Sequence, residues 1–347
     1  MHRQLLLSRA FVSYTGYMLK RASLILSVLA VVFFPCARLV HAQASSEISV
    51  SVSPTNPGPN EAVTVSLTSY SFNLQTAQIN WTATGQPSSS GIGVSNYTIM
   101  TKGLGTSTTV NVTIIPVGSI AIQESLVITP MTVDMLWEAT DSIVPPFYEG
   151  KAMPTSESVV KFVAIPQIKG ANGSYLPPSG FVYNWSENYT ADAANSGYGV
   201  NSYQAFMDYL NPDKYMSVDV SNSDGTVATS GNITLSPVDP KIEWYAASPL
   251  YGPLFNHALD GSYTVVGNDT SLMAEPYFFS PGTPLSRDLA YTWKLNDAAI
   301  DTPSIPNTLF LHRDTTTETG TATLSVEINN ASKLFQDLTS NLTLNLQ

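Results

Sequence analysis

The chain has 347 residues, a length that suits two or three domains, and 43% of them are hydrophobic, enough for real cores. Only 12% are charged and the net charge is −11; five of the fifteen Lys and Arg residues lie before position 43, ahead of every acidic residue. The rest of the chain is strongly acidic and repels phosphate backbones, which excludes nucleic acid as a partner. Cys36 is the one cysteine, so the chain beyond it has no disulfide, thiolate metal site or thiol nucleophile.

Residues 1–42 read as a signal peptide. Lys20 and Arg21 precede an apolar run from Leu24 to Phe34, and Val40-His41-Ala42 supplies small residues at a cleavage site. The run is shorter than the roughly 20 residues a membrane-spanning helix needs. Cleavage is expected after Ala42; an uncleaved segment is the alternative, and the one route to a membrane. Phe33-Phe34-Pro35 before Cys36 is no lipobox. Met18, just ahead of Lys20, would start a signal of ordinary length.

The first module is predicted over residues 43–130. Ile48 to Val52 and Ala62 to Leu67 alternate as strands, separated by a turn holding Pro54, Pro57 and Pro59. Gln78-Ile79-Asn80-Trp81-Thr82 is the core strand. Tyr97 to Ile99 comes next, and then a closing hairpin of Val110 to Ile114 with Leu126 to Ile128. Short strands at this spacing, without helical period, are the pattern of an immunoglobulin-like sandwich.

The second module spans 131–237. Val159 to Ala164 is a strand, Lys169 to Gly180 a turn-rich insertion, and Val182-Tyr183-Asn184-Trp185-Ser186 the core strand. Met216 to Val220 and Val227 to Leu235 form a hairpin about Asp224-Gly225. The third module spans 238–347, with core strand Ala290-Tyr291-Thr292-Trp293-Lys294 and a hairpin of Thr323 to Ile328 with Leu338 to Leu346. The joints, Thr129-Pro130 and Pro237-Val238-Asp239-Pro240, are short and stiff, which favours a rod.

These modules are repeats. Each core Trp has an apolar or aromatic residue two places before it, so the two share one strand face. Ser90-Gly91-Ile92-Gly93-Val94-Ser95-Asn96-Tyr97 matches Ser196-Gly197-Tyr198-Gly199-Val200-Asn201-Ser202-Tyr203. Leu136-Trp137-Glu138-Ala139, leading to Pro145-Pro146-Phe147-Tyr148, pairs with Glu243-Trp244-Tyr245-Ala246, leading to Gly252-Pro253-Leu254-Phe255. On these motifs the chain over about 45–347 resembles PKD-like and immunoglobulin-like repeats of bacterial exported envelope proteins, some thought to accompany pilus systems. The Gly-Asp-Gly that ends the Trp strand in PKD repeats is absent; Thr82-Ala83-Thr84-Gly85 stands there. The resemblance implies a structural or adhesive role and carries over no functional residue.

The motifs of catalysis are missing. After the leader the histidines are His257 and His312, with no His-Glu-x-x-His and no Gly-x-Ser-x-Gly. His312, beside Arg313 and Asp314, reads as part of a solvated loop, and His257 as structural. Counting back from Gly225 as in a calcium loop puts Val220 at the first ligand position, where it cannot coordinate. No catalytic residue, metal or cofactor is predicted. The ten or so Asn-x-Ser/Thr sequons mostly reflect composition.

The Pro-aromatic segments stand out. Trp137, Phe147, Tyr148, Trp244, Tyr251 and Phe255 are candidate joint or partner contacts, since aromatic anchors dominate recognition. Recurrence at matched positions favours packing within the chain. Both segments come shortly after a joint, and the first module lacks one, so each is expected to fix its module against the preceding one. The chain is thus predicted to be an all-β rod of tandem immunoglobulin-like or PKD-like sandwiches. It reads as a non-catalytic exported structural or adhesive protein, in the periplasm, at the cell surface or outside. Its partner would be a protein or a cell-surface glycan. The alternative is a carbohydrate-binding array serving a separate enzyme.

Overall fold

Period-two alternation forces extended strands with one face to bury. In the first core strand Ile79 and Trp81 are buried and Thr82 is exposed. The structure, a computed structural model, describes residues 48–170, 172–225, 227–281, 283–314 and 319–347. The predicted leader and its cleavage point after Ala42 lie outside the described residues.

The first sandwich is built from β1 (Ile48–Ser53), β2 (Ala62–Ser69), β3 (Gln78–Ala83), β4 (Ser89–Ile92), β5 (Asn96–Met100), β6 (Thr108–Ile115) and β7 (Ile122–Ile128). One sheet runs β1-β2-β5 and the other β4-β3-β6-β7. The second sandwich contains β8 (Val133–Ala139), β9 (Val159–Pro166), β10 (Val182–Glu187), β11 (Thr190–Ala191), β12 (Gly197–Tyr198), β13 (Ser202–Phe206), β14 (Lys214–Ser221) and β15 (Ala228–Leu235). Its sheets are β13-β9-β8 and β11-β10-β14-β15, with β12 also on β10.

The third sandwich contains β16 (Lys241–Ser248), β17 (Gly252–Pro253), β18 (Ser262–Val265), β19 (Asp269–Tyr277), β20 (Leu289–Leu295), β21 (Ala298–Ile300), β22 (Thr308–His312), β23 (Gly320–Asn330) and β24 (Asp337–Leu346). Its sheets are β17-β16-β19-β22 and β18-β24-β23-β20-β21, and β18 pairs with β24 in parallel. The strand order is the same three times: the core Trp strand lies beside the first strand of the closing hairpin. The architecture is a tandem array of immunoglobulin-like sandwiches.

Trp81, Trp185 and Trp293 are all buried, as are Ile79, Tyr183 and Tyr291 two places before them. Each indole N–H also needs an acceptor. Trp81 donates to Val94 O at 2.8 Å, Trp185 to Val200 O at 2.9 Å and Trp293 to Pro306 O at 2.9 Å. This explains the Ser-Gly-x-Gly-Val repeat. Gly93 and Gly199 adopt φ of 76° and 74°, a left-handed turn that costs glycine little, and the turn aims the next carbonyl at the indole. The Tyr three residues after each Val then packs on the Trp ring, Tyr97 on Trp81 at 5.5 Å and Tyr203 on Trp185 at 5.6 Å between centroids. The third sandwich lacks the motif, and there Trp244 lies edge-on to Trp293 at 5.7 Å.

His312 ends β22, a correction to the loop reading. Cross-strand pairing with Asp269 sets Nδ1 at 2.8 Å from the carboxylate, and this hydrogen bond raises the imidazole above its ordinary pKa.

Candidate functional site

Among the described residues, a cluster of buried side chains lies between the second and third sandwiches. It starts from the loop after β8. A seven-residue strand carries the chain roughly 23 Å, so this loop emerges at the end of the second sandwich away from the first. Ile143 in the loop enters the third core, buried beside Trp244, Leu272 and Phe279. Its N–H donates to Phe279 O at 2.8 Å and its carbonyl accepts from Phe278 N–H at 2.8 Å. Phe278 has φ of 65°, a strain of roughly 1–2 kcal/mol for a residue with a side chain. The bond to Ile143 and burial of the ring hold it there.

An apolar seam lies beside Ile143. Tyr245, Met273, Tyr277 and Phe278 of the third sandwich are buried against Val144, Met153, Val238, Phe255 and Ala258. The Tyr245 and Tyr277 hydroxyls hydrogen-bond at 2.6 Å, and burial raises the Tyr277 hydroxyl well above the usual phenol range.

A polar network closes the other side. Gln336, fully buried, places Nε2 at 3.0 Å from Thr155 Oγ1, 2.9 Å from Ser156 O and 2.9 Å from Ser280 Oγ. Two amide hydrogens thus serve three acceptors. Its Oε1 accepts from Ser280 N–H and Asn330 Nδ2, each at 2.8 Å. Lys333 Nζ donates to Glu157 O at 2.5 Å, while the Glu157 carboxylate accepts the Leu334 N–H at 2.5 Å. Phe335 packs on Tyr209 at 5.1 Å. Burial raises the Asp141 carboxyl, opposed by its hydrogen bond from Val159 N–H and the charge of Lys333.

The sequence-derived candidates divide around this joint. Tyr148 stacks edge-on against Tyr277 at 5.8 Å and Phe278 at 6.3 Å. Phe255 meets Tyr245 at 5.1 Å within the seam. It is brought there because residues 252–259 fold back along β16, with Leu254 N–H on Ala246 O and Leu259 N–H on Trp244 O. Trp137 lies on β8 with Lys151 Nζ 4.0 Å from its ring centroid. Trp244 is buried in the third core, its indole donating to Ser340 Oγ at 2.9 Å, which leaves no ring face for an outside partner. Phe147 and Tyr251 are exposed at 98% and 78% and lie outside the seam.

The expected direction of the first seal is corrected. Tyr148 packs on the following sandwich, because a segment after the first strand lies at the far end of its own module. Gln336, Thr155, Ser280 and Ile143 escaped sequence reasoning. One signal was available: the hairpin turn of the third module carries the apolar pair Leu334-Phe335, where the second module has polar Ser223-Asp224-Gly225.

The first and second sandwiches meet at a joint of their own. Met131 N–H donates to Pro57 O at 3.2 Å and Gly105 N–H to Pro130 O at 3.0 Å. Gly105 lies against the Lys169 side chain so closely that an added Cβ would stand 2.7 Å from Lys169 Cδ.

Two further groups could carry chemistry. Tyr203 Oη lies 3.0 Å from Glu187 Oε2 and 2.9 Å from Asp192 Oδ2, and buried Lys214 pairs with Glu187. The phenol has one hydrogen for two carboxylates, and burial together with both acceptors raises its pKa beyond the usual range. Glu275 is almost fully buried; its hydrogen bond comes from Asn307 Nδ2 at 3.4 Å, and burial pushes its carboxyl up to about 7. The first group ties the two sheets of the second sandwich together, and the second ties β19 to the segment before β22. Among the described residues, no group of three or more His, Cys, Asp or Glu side chains is placed to hold a metal ion.

No family model matches the chain and no curated protein matches it in sequence. Among solved structures it is similar to the three N-terminal domains of the Hoc outer capsid protein of bacteriophage RB49, at 12% identity, over 86% of this chain and 99% of that one, with a TM-score of 0.26. The central fibronectin-III array of RIM-binding protein matches at 9% identity, over 85% and 95%, with a TM-score of 0.26. The fibronectin(III)-like modules of Clostridium thermocellum CbhA match at 12% identity, over 55% and 94%, with the same score. All three are tandem modular proteins. The fold of this chain rests on its own strand order.

Proposed function

We propose that the chain is an exported, non-catalytic array of three sandwich modules, 43–130, 131–237 and 238–347, acting as a structural or adhesive component of the cell envelope. The observation that carries this reading is the second joint. Ile143 enters the neighbouring core, and the buried Gln336 carboxamide is hydrogen-bonded across the boundary. Buried polar networks of this kind specify one arrangement when fully satisfied. A protein that transmits force or presents a surface needs its modules held at a set angle.

Export is supported by the charged start, apolar run and small-residue end of positions 20–42. The partner would be a protein or cell-surface glycan. Fractionating cells and sequencing the N-terminus of the recovered chain tests this. The expected result is material outside the cytoplasm beginning at Gln43. Recovery of the whole population in the cytoplasm with residues 24–34 intact overturns it.

A further inference from the structure

We propose that Asn188 is a modification site, its side-chain amide carrying an N-linked glycan whose first residue is a neutral sugar. The proposal rests on the export reading above.

Most Asn-x-Ser/Thr triplets of this chain follow from strand geometry. Outward positions recur every second residue, so Asn80-Trp81-Thr82, Asn184-Trp185-Ser186 and Asn341-Leu342-Thr343 each straddle a buried side chain within a strand. Asn330, which opens another triplet, is itself buried. Asn188-Tyr189-Thr190 differs, because it forms the tip of a hairpin. Glu187 of β10 pairs with Thr190 of β11, so Asn188 and Tyr189 are the two loop residues. Their φ values are 47° and 65°, as a two-residue loop on twisted strands requires. Asn suits the first of these positions, but the second favours glycine. The ring of Tyr189, 83% exposed, is held there by stacking on Tyr215 at 4.4 Å between centroids.

The Asn188 amide is oriented for attachment. Its Oδ1 accepts the Tyr215 N–H at 2.9 Å, and its backbone N–H donates to Tyr215 O at 2.8 Å. Among the described residues no acceptor holds Nδ2, and both Asn188 and Thr190 are exposed. A glycosylated carboxamide keeps its oxygen and one N–H, so the bond from Tyr215 survives the modification. A glycan on an exposed triplet of an exported chain is bulky and solubilising, and the tip has open space for it.

Room for the first sugar adjoins the tip. Asn188 and Thr190 share a cavity of about 350 Å³ with Glu187, Asp192 and Tyr203, a size that suits a small ligand. The Tyr203 hydroxyl has one hydrogen for the two carboxylates, so acceptor capacity is left over for sugar hydroxyls. The carboxylates repel an acidic sugar, which makes a neutral one the fitting first residue. The reaction requires a glycosyl diphosphate donor and a transferase. Asn188 Nδ2 forms a bond to C1 of the sugar as the C1–O bond breaks. The electron pair leaves with the diphosphate, and one amide proton passes to a base of the transferase.

Mass spectrometry of the chain recovered from its own cells, combined with N-terminal sequencing, tests this. The peptide holding Asn188 should be heavier than its sequence by whole sugar residues. Asn188→Gln and Thr190→Ala should each return it to the mass of its sequence, while Thr190→Ser, which restores the hydroxyl, should keep the addition. An unchanged thermal midpoint shows that a variant folds. Chain found outside the cytoplasm, beginning at Gln43 but unmodified at Asn188, overturns this proposal and leaves export standing. Chain held in the cytoplasm and unmodified overturns both. An addition that persists in folded Thr190→Ala also overturns it, since the triplet would then not direct the modification.

Discussion

Gln336 of the third sandwich donates its side-chain amide to Thr155 of the second at 3.0 Å, 181 residues earlier in the chain. The same carboxamide accepts Ser280 N–H, so one side chain ties the hairpin turn, the end of β19 and the loop before β9 together. Gln336→Leu keeps most of the volume but takes the acceptor away from the buried Ser280 N–H and the Asn330 amide, while the Thr155 and Ser280 hydroxyls keep each other. The expected cost is about 2–4 kcal/mol. Denaturant unfolding should then resolve the second and third sandwiches into separate transitions; one unchanged transition would show that the network does not couple them.

Ile143 is assigned to the second module by sequence and to the third core by packing. Ile143→Ala should cost about 2–4 kcal/mol through the cavity it leaves. Hydrogen exchange locates the damage, and it is expected in β16, β19 and β20 rather than in β8 to β15.

Tyr148 and Phe147 are neighbours with opposite roles. Tyr148→Ala removes the ring that lies on Tyr277 and Phe278 and should loosen the second joint, seen as a broader particle in small-angle scattering. Phe147→Ala removes a side chain in open solvent and should change stability by less than about 0.5 kcal/mol. A scattering change for Phe147 and none for Tyr148 would reverse the assignment.

Glu275 predicts a pH dependence. Its carboxyl is raised to about 7 in the folded chain, against roughly 4.3 in an unfolded one. The folded state therefore holds this proton more tightly. Stability from this group is full below about 4.3 and falls as pH rises through about 7, by up to roughly 3–4 kcal/mol. Glu275→Gln should remove that slope. The check is the difference in denaturation midpoint between wild type and variant across this range; a difference that stays flat with pH would exclude the assignment.

Local chemistry alone determined the sandwich class and the three core strands. Period-two alternation tells which face of a strand is buried whatever lies opposite, and Ile79-x-Trp81, Tyr183-x-Trp185 and Tyr291-x-Trp293 are legible in this way. The Gly-x-Gly-Val-x-x-Tyr turns could be read as repeats, but their purpose, a carbonyl aimed at an indole and a ring laid on it, appears only when the turn is folded beside the strand. The joint was decided by tertiary structure. Which end of a sandwich a loop occupies depends on how far the preceding strand carries the chain, so Tyr148 meets the following module despite its closeness in sequence to the preceding one. Gln336 and Thr155 have no pattern to betray them, because a polar side chain in a turn looks the same whether it faces water or another module. Burial by a partner 181 residues away is a property of the assembled sandwiches.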